Sequence, residues 1–227
     1  MVQPEVSVVV SAADALVALV VDRARQAAAR GFSIALPGGS VATLGLPALA
    51  RAPLDFARLE LFWGDERAVP PEHPDSNYGL AARLLLAVTP IPAGRVHRMP
   101  ADRADLEQAA CEYEASLRAR GLDLAILGVG PEGHVCSLFP GHALLDEKER
   151  WVRPIVDSPK PPATRLTLTL PALAAAQELV VVAMGEAKAA VVREALEDRM
   201  SRLPLALALR ASRRATLILD AAAAGRR

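Results

Sequence analysis

The sequence predicts an α/β protein, with a mostly parallel sheet and helices on both of its faces. Three observations predict it. Short apolar segments ending at glycine-rich turns recur between longer stretches with helical spacing. These segments are nearly continuous in their apolar character rather than alternating, as strands buried on both faces are. The residues with unusual chemistry fall just after them, where the carboxyl ends of parallel strands place ligand sites.

Each element has a local reason. Ser11 followed by Asp14 reads as a capping box, and Leu16, Leu19, Val20 and Ala24 recur at helical spacing up to Gly31. Phe32 to Leu36 is a buried strand running through Pro37-Gly38-Gly39-Ser40 into a second helix. Leu59 to Trp63 repeats the pattern and ends at Gly64-Asp65-Glu66-Arg67; beyond a proline-rich loop, Ser76 caps a helix with Leu80, Leu84 and Leu85 on one face. A helix from Asp105 to Arg120 leads through Gly121 to a third strand, Leu122 to Leu127, with a glycine-rich end. Trp151 to Val156, Arg165 to Leu170 and Glu178 to Ala183 read as later strands. Gly185 precedes a helix through Leu196, and Ala215 to Leu219 is a closing strand. Pro70 to Pro74 and Ser158 to Pro162 are short loops rather than linkers, so residues 1–227 are expected to form a single domain without internal repeats.

Composition narrows the function classes. With 52% hydrophobic and 23% charged residues the chain is a folded one, and 26 Lys+Arg balance 26 Asp+Glu. No global field favours nucleic acid or an anionic membrane, so neither is an expected partner. Cys111 and Cys136 are too few and too far apart for a disulfide framework or a CxxC motif, which fits a reducing compartment. The first positive charge is Arg23, and Glu5 and Asp14 interrupt the early apolar stretch, so no secretory signal is read. The longest apolar runs, Ala15 to Val21 and Leu203 to Leu209, fall far below the roughly 20 residues that span a bilayer. A soluble cytoplasmic protein, monomeric or a small homo-oligomer, is expected.

Three segments carry the candidate chemistry and are expected to converge. Pro37-Gly38-Gly39-Ser40 brings free backbone N–H groups to a helix start, where the peptide dipoles favour an anion such as phosphate; a plain tight turn with Ser40 as N-cap is the alternative. It is not a Walker loop, and no GxSxG elbow exists in the chain. Asp65-Glu66-Arg67 brings two carboxylates and a guanidinium to a strand end, with Arg67 suited to phosphate by its fork of donors. Gly128-Val129-Gly130-Pro131-Glu132-Gly133 is formally the GxGxxG of a dinucleotide site, with Asp157 available as the later acid. The helix after it is cut short by Pro140-Gly141 after about seven residues, too soon for that reading to be strong. His134 follows this turn, at the start of the short helix, where a neutral imidazole suits proton abstraction from water. Lys160 and Arg165 lie on a second basic loop stiffened by Pro159, Pro161 and Pro162. His73, His97 and His142 show no metal-ligand spacing, so neither a metal nor another cofactor is expected.

Taken in order, Leu36-Pro37-Gly38-Gly39-Ser40, Trp63-Gly64-Asp65-Glu66-Arg67 with Ser76-Asn77-Tyr78, and Leu127 to His134 with Ser137-Leu138-Phe139-Pro140 resemble the 6-phosphogluconolactonase family. Ser158-Pro159-Lys160-Pro161-Pro162 followed by Arg165 to Thr169, and Gly185 with Lys188, are similar to later motifs of that family. The resemblance spans nearly the whole chain. It implies a modified Rossmann-like, sugar-phosphate isomerase-like fold and cytosolic hydrolysis of 6-phosphoglucono-δ-lactone in the oxidative pentose phosphate pathway. Two departures stand out: Glu132-Gly133-His134-Val135-Cys136-Ser137 replaces the usual Asp-Gly-His-Thr-Ala-Ser, and Ser40-Val41-Ala42 replaces Ser-Thr-Pro.

On this resemblance His134 is the expected base for water attacking C1, with backbone N–H groups of the turn from Gly128 through Gly130 to Gly133 as oxyanion donors. Asp65 is expected either to orient the base or to hold a sugar hydroxyl. Gly38, Gly39, Ser40, Arg67, Lys160 and Arg165 are the expected phosphate anchors for a small phosphorylated sugar lactone. The rivals are an amino-sugar phosphate deaminase or isomerase on the same kind of fold and a non-catalytic sugar-phosphate sensor.

Overall fold

The computed structural model describes residues 3–27 and 30–226. In chain order its first half holds β1 (Glu5–Val8), α1 (Ala12–Gln26), β2 (Phe32–Leu36), α2 (Gly39–Ala50), β3 (Leu59–Trp63), β4 (Asp65–Arg67), α3 (Asn77–Leu84), α4 (Leu106–Arg120) and β5 (Leu124–Gly128). Its second half holds β6 (Val152–Ile155), β7 (Arg165–Leu168), α5 (Leu170–Ala175), β8 (Glu178–Ala183), α6 (Ala189–Glu197), α7 (Pro204–Ala211) and β9 (Ala215–Leu219). Side-chain caps start three helices: Ser11 Oγ accepts from Asp14 N at 3.2 Å, Ser76 Oγ from Gly79 N at 2.9 Å, and Asp105 Oδ1 from Gln108 N at 2.9 Å.

Six strands form one parallel sheet in the order β1-β9-β8-β5-β2-β3. The apolar runs of β2, β5, β8 and β9 are buried almost throughout because helices cover both faces. Ile34, Leu61, Phe62, Ile126, Val180 and Leu217 lie in the continuous core, each large apolar side chain contributing about 1.5–3 kcal/mol by leaving water. From β2 the chain moves outward to β3 on one side and returns to β5 on the other, so a switch point lies between β2 and β5. Among the described residues no helix is long and apolar enough to cross a membrane.

Several expectations need correction. The strands expected at Trp151 to Val156 and Arg165 to Leu170 are β6 and β7, which stand outside the parallel sheet. With β4 they form a separate antiparallel sheet in the order β4-β7-β6, and Asp65-Glu66-Arg67 is its edge strand rather than a turn. Leu170 opens α5 instead of ending β7, since Pro171 has no N–H for a ladder and suits a first helical turn. The edge strand β1 and the helix α7 were not anticipated. No helix follows His134: residues 131–142 form turns, with an isolated bridge between Val135 and Leu138. The first helix ends at Gln26 rather than at Gly31.

Candidate active site

A cavity of about 240 Å³ opens over the carboxyl ends of β2, β3, β5 and β8. All three predicted segments meet there: Gly38, Gly39 and Ser40, then Asp65 and Arg67, then Gly130 and His134, with Lys160 and Arg165 from the later loop. Gly133 is not on the wall.

The first wall is the β2–α2 turn. Gly38, not Ser40, is the N-cap of α2, and no side chain caps it, so the first N–H groups of the helix stay available. Gly39 has φ +61°, a left-handed conformation that favours glycine. A Cβ on Gly38 would stand 2.1 Å from Asn77 Oδ1, which explains why the chain can pass so close to the start of α3. Gly39 and Ser40 are exposed, leaving the helix start open to an anion.

The second wall comes from β4. Glu66 is buried and accepts from Arg67 N (2.8 Å), Asn77 N (2.8 Å), Tyr78 N (2.7 Å) and Ser76 Oγ (3.0 Å). Burial pushes its carboxyl up against these four donors, and it pins β4 to the amino terminus of α3. Asp65 accepts from Ser137 Oγ at 2.6 Å and from Asn77 Nδ2 at 3.3 Å, and lies 3.8 Å from Arg165 Nη1. Arg67 donates through Nη1 to Asp75 O at 2.7 Å, while its buried Nε has no protein partner among the described residues.

The third wall is the turn after β5. It closes on itself, with Gly133 N donating to Gly130 O and Gly130 N to His134 O, both at 2.9 Å. Those two N–H groups are therefore unavailable as the oxyanion donors the sequence suggested, and the glycines serve geometry instead. A Cβ on Gly130 would stand 1.9 Å from His134 Nδ1, and Gly133 has φ +89°. His134 Nδ1 lies 2.8 Å from Glu132 Oε1, and Lys160 Nζ lies 2.7 Å from the same oxygen. Against the upward push of burial, Lys160 and His134 hold the Glu132 carboxyl at about 2. An ionised carboxylate only accepts, so Nδ1 carries the proton and Nε2 keeps its lone pair. Burial lowers the proton affinity of His134, Glu132 raises it, Lys160 lowers it, and the outcome lies below the ordinary imidazole range.

Asp65 makes no hydrogen bond to His134; the carboxylate that holds the imidazole is Glu132, which stands where the family usually has Asp. Arg165 lines the cavity as well, yet most of its donors are taken. It is 4% exposed, and its donors go to Pro162 O (2.9 Å), Lys160 O (2.9 Å), Pro161 O (3.2 Å) and Ser137 Oγ (3.3 Å), so it shapes the proline loop. Lys188 lines the cavity from the turn before α6, with its amine pushed down by burial and by Lys160. The sequence motifs carry Lys188 beside Gly185 without assigning it a role, and assign none to Asn77 and Ser137, which hold Asp65. No local signal distinguishes such residues from surface ones.

Fold and site together define a class: an α/β protein with an open helix start, a cation cluster and an acid-held imidazole at the switch point of a parallel sheet. The chain belongs to the glucosamine-6-phosphate isomerase/6-phosphogluconolactonase family, whose model matches residues 7–218. It is 48% identical over 206 residues to the 6-phosphogluconolactonase of Rattus norvegicus, covering 85% of this chain and 79% of the rat protein. The solved 6-phosphogluconolactonase of Trypanosoma brucei superposes with a TM-score of 0.88 at 27% identity, covering 99% of each chain. A monomeric glucosamine-6-phosphate deaminase superposes with a TM-score of 0.86 over the full length of both chains, but at 19% identity it shares the fold alone.

Proposed function

We propose that this chain hydrolyses 6-phospho-D-glucono-1,5-lactone to 6-phospho-D-gluconate, as its 6-phosphogluconolactonase relatives are named for doing. One observation carries the reading: an imidazole with Nδ1 held by Glu132 and Nε2 unpartnered among the described residues shares a cavity with Arg67, Lys188 and the open start of α2. His134 Nε2 takes a proton from water as the water oxygen bonds to C1. The tetrahedral intermediate then collapses with cleavage of the bond from C1 to the ring oxygen, which receives the proton from the imidazolium. The product carboxylic acid loses its proton to solvent. Arg67 and the N–H groups opening α2 hold the 6-phosphate, with Gly38, Gly39 and Ser40 providing the open turn and Lys188 adding charge. This remote binding positions C1 over the base.

The deaminase or isomerase alternative needs a base aimed at a sugar carbon. Asp65, the carboxylate nearest that role, already accepts from Ser137 and Asn77, which favours lactone hydrolysis. In this reading Asp65 holds the walls of the site together. A cytoplasmic location suits an enzyme of the oxidative pentose phosphate pathway. The deciding experiment is a lactone-hydrolysis assay with and without the 6-phosphate. Rapid turnover of the phosphorylated lactone and slow turnover of gluconolactone supports the function; equal turnover, or deamination of glucosamine 6-phosphate instead, refutes it.

A further inference from the structure

Lys160 stands on the side of His134 that faces away from the free Nε2. Its Nζ is 2.7 Å from Glu132 Oε1 and 3.5 Å from His134 Nδ1, so two cations compete for one carboxylate oxygen whenever the imidazole is protonated. The protein grips this lysine by its backbone. Ser158 Oγ donates to Lys160 O at 2.9 Å and accepts from Lys160 N at 3.2 Å, while buried Arg165 donates to Lys160 O at 2.9 Å. A cation needed only as a mobile phosphate ligand does not require its own carbonyl and amide to be held at three points.

Other charges face the ring from each neighbouring element. Glu132 belongs to the same turn, Asp65 comes from β4, and Arg165 from β7 lies 5.8 Å from the Phe139 ring that packs on His134. Lys188 acts on Lys160 and Glu132 from the turn before α6. Burial disfavours the imidazolium, which cannot act as a base; Glu132 and Asp65 favour it, and Lys160, at 3.5 Å from Nδ1, opposes them alongside burial. Resting on the assignment of His134 as the base, we propose that Lys160 is a positioning residue for it: by sharing the Glu132 carboxylate it keeps the imidazole unprotonated at neutral pH, instead of anchoring the substrate phosphate.

NMR titration of the His134 imidazole in the substrate-free protein tests this directly. Lys160→Met, which keeps the alkyl stem and removes the charge, is expected to raise the midpoint by about one pH unit. Lys160→Arg keeps the charge and is expected to hold the parental midpoint, whereas Glu132→Gln lowers it. The acid limb of kcat/KM moves with the imidazole, while the preference of Lys160→Met for phosphorylated over unphosphorylated lactone stays at the parental value. An unmoved or lowered midpoint in Lys160→Met overturns the proposal, as does a fall in that preference, which assigns Lys160 to the phosphate. Lys160→Gln gives the same readout if the methionine variant fails to fold. Since the titration uses no lactone, a failure of the proposed function is seen separately, as absent hydrolysis.

Discussion

The two ends of the parallel sheet are built on opposite plans. At the amino ends of the strands lies the larger cavity, about 490 Å³, lined by apolar groups such as Val21, Phe32, Leu54 and Leu59. Its wall also carries Arg25, Asp55 and Arg58, with Arg58 3.4 Å from Asp55, and the less exposed carboxylates of this end are paired: Glu60 meets Arg120 at 2.7 Å and His97 at 2.8 Å, Asp123 meets Arg30 at 2.6 Å, and Glu178 meets Arg23 at 2.6 Å. At the carboxyl ends the cavity is half that size, and its groups are left partly unmatched: an open helix start, a lone imidazole nitrogen, a buried Nε on Arg67. The proposed site is therefore marked not by cavity size but by polar groups left unpartnered at a helix start and inside the cavity. A parallel sheet turns its helix amino termini toward one end only, so anion chemistry gathers there and the other end is free to be closed for stability.

Breaking the base gives the largest expected effect. His134→Ala is expected to lose about 10²- to 10⁴-fold in kcat with little change in product affinity, measured by steady-state kinetics and product titration. In the parent enzyme, kcat/KM is expected to fall as pH drops and the imidazole of the free enzyme protonates. Because burial lowers the proton affinity of His134, this limb lies below the ordinary imidazole midpoint of about 6.5, and a limb at or above that value contradicts the burial argument.

Next comes the turn that carries the base. Gly130→Ala puts a methyl group where His134 Nδ1 now stands and is expected to cost about 100-fold in kcat by displacing the imidazole from Glu132. Retention of parental kcat would show that the turn relaxes without moving the ring. A smaller, substrate-selective effect is expected at the phosphate. Arg67→Lys keeps the charge but loses the fork, lowering kcat/KM about tenfold for the phosphorylated lactone and much less for gluconolactone. Equal losses for both place Arg67 in the fold rather than in the phosphate site.

The contrast is sharpest at the paired end. Asp123→Ala leaves the Ser33 N–H, which now donates to Asp123 Oδ2 at 2.9 Å, without its partner in the core. A loss of about 1–3 kcal/mol in stability is expected by calorimetry, with parental kinetics. A change in kcat from this substitution would show that the two ends are coupled.

Much of this division was readable in the sequence. Local regularities are short-range, and so they survive in the chain itself: the apolar runs of β2, β3 and β8, the caps Ser11 and Ser76, and the glycine turn that presents His134. Their causes lie within a few residues, in side-chain rotamers, cap hydrogen bonds and backbone freedom. The convergence of Pro37 to Ser40, Asp65 to Arg67 and Gly128 to His134 was also foreseeable, because each follows a strand of one parallel sheet. Tertiary structure decided the rest. That Asp65 to Arg67 would pair with β7 in a second sheet depends on a partner about 100 residues away, and nothing in three charged residues encodes it. Glu132 became the holder of His134 and shares its oxygen with Lys160, 28 positions later, only because Arg165 and Ser158 fold the proline loop over the turn. A sequence determines which groups are available and which local shapes carry them; which carboxylate faces which cation is settled by long-range packing, since electrostatic partners are chosen by distance in space.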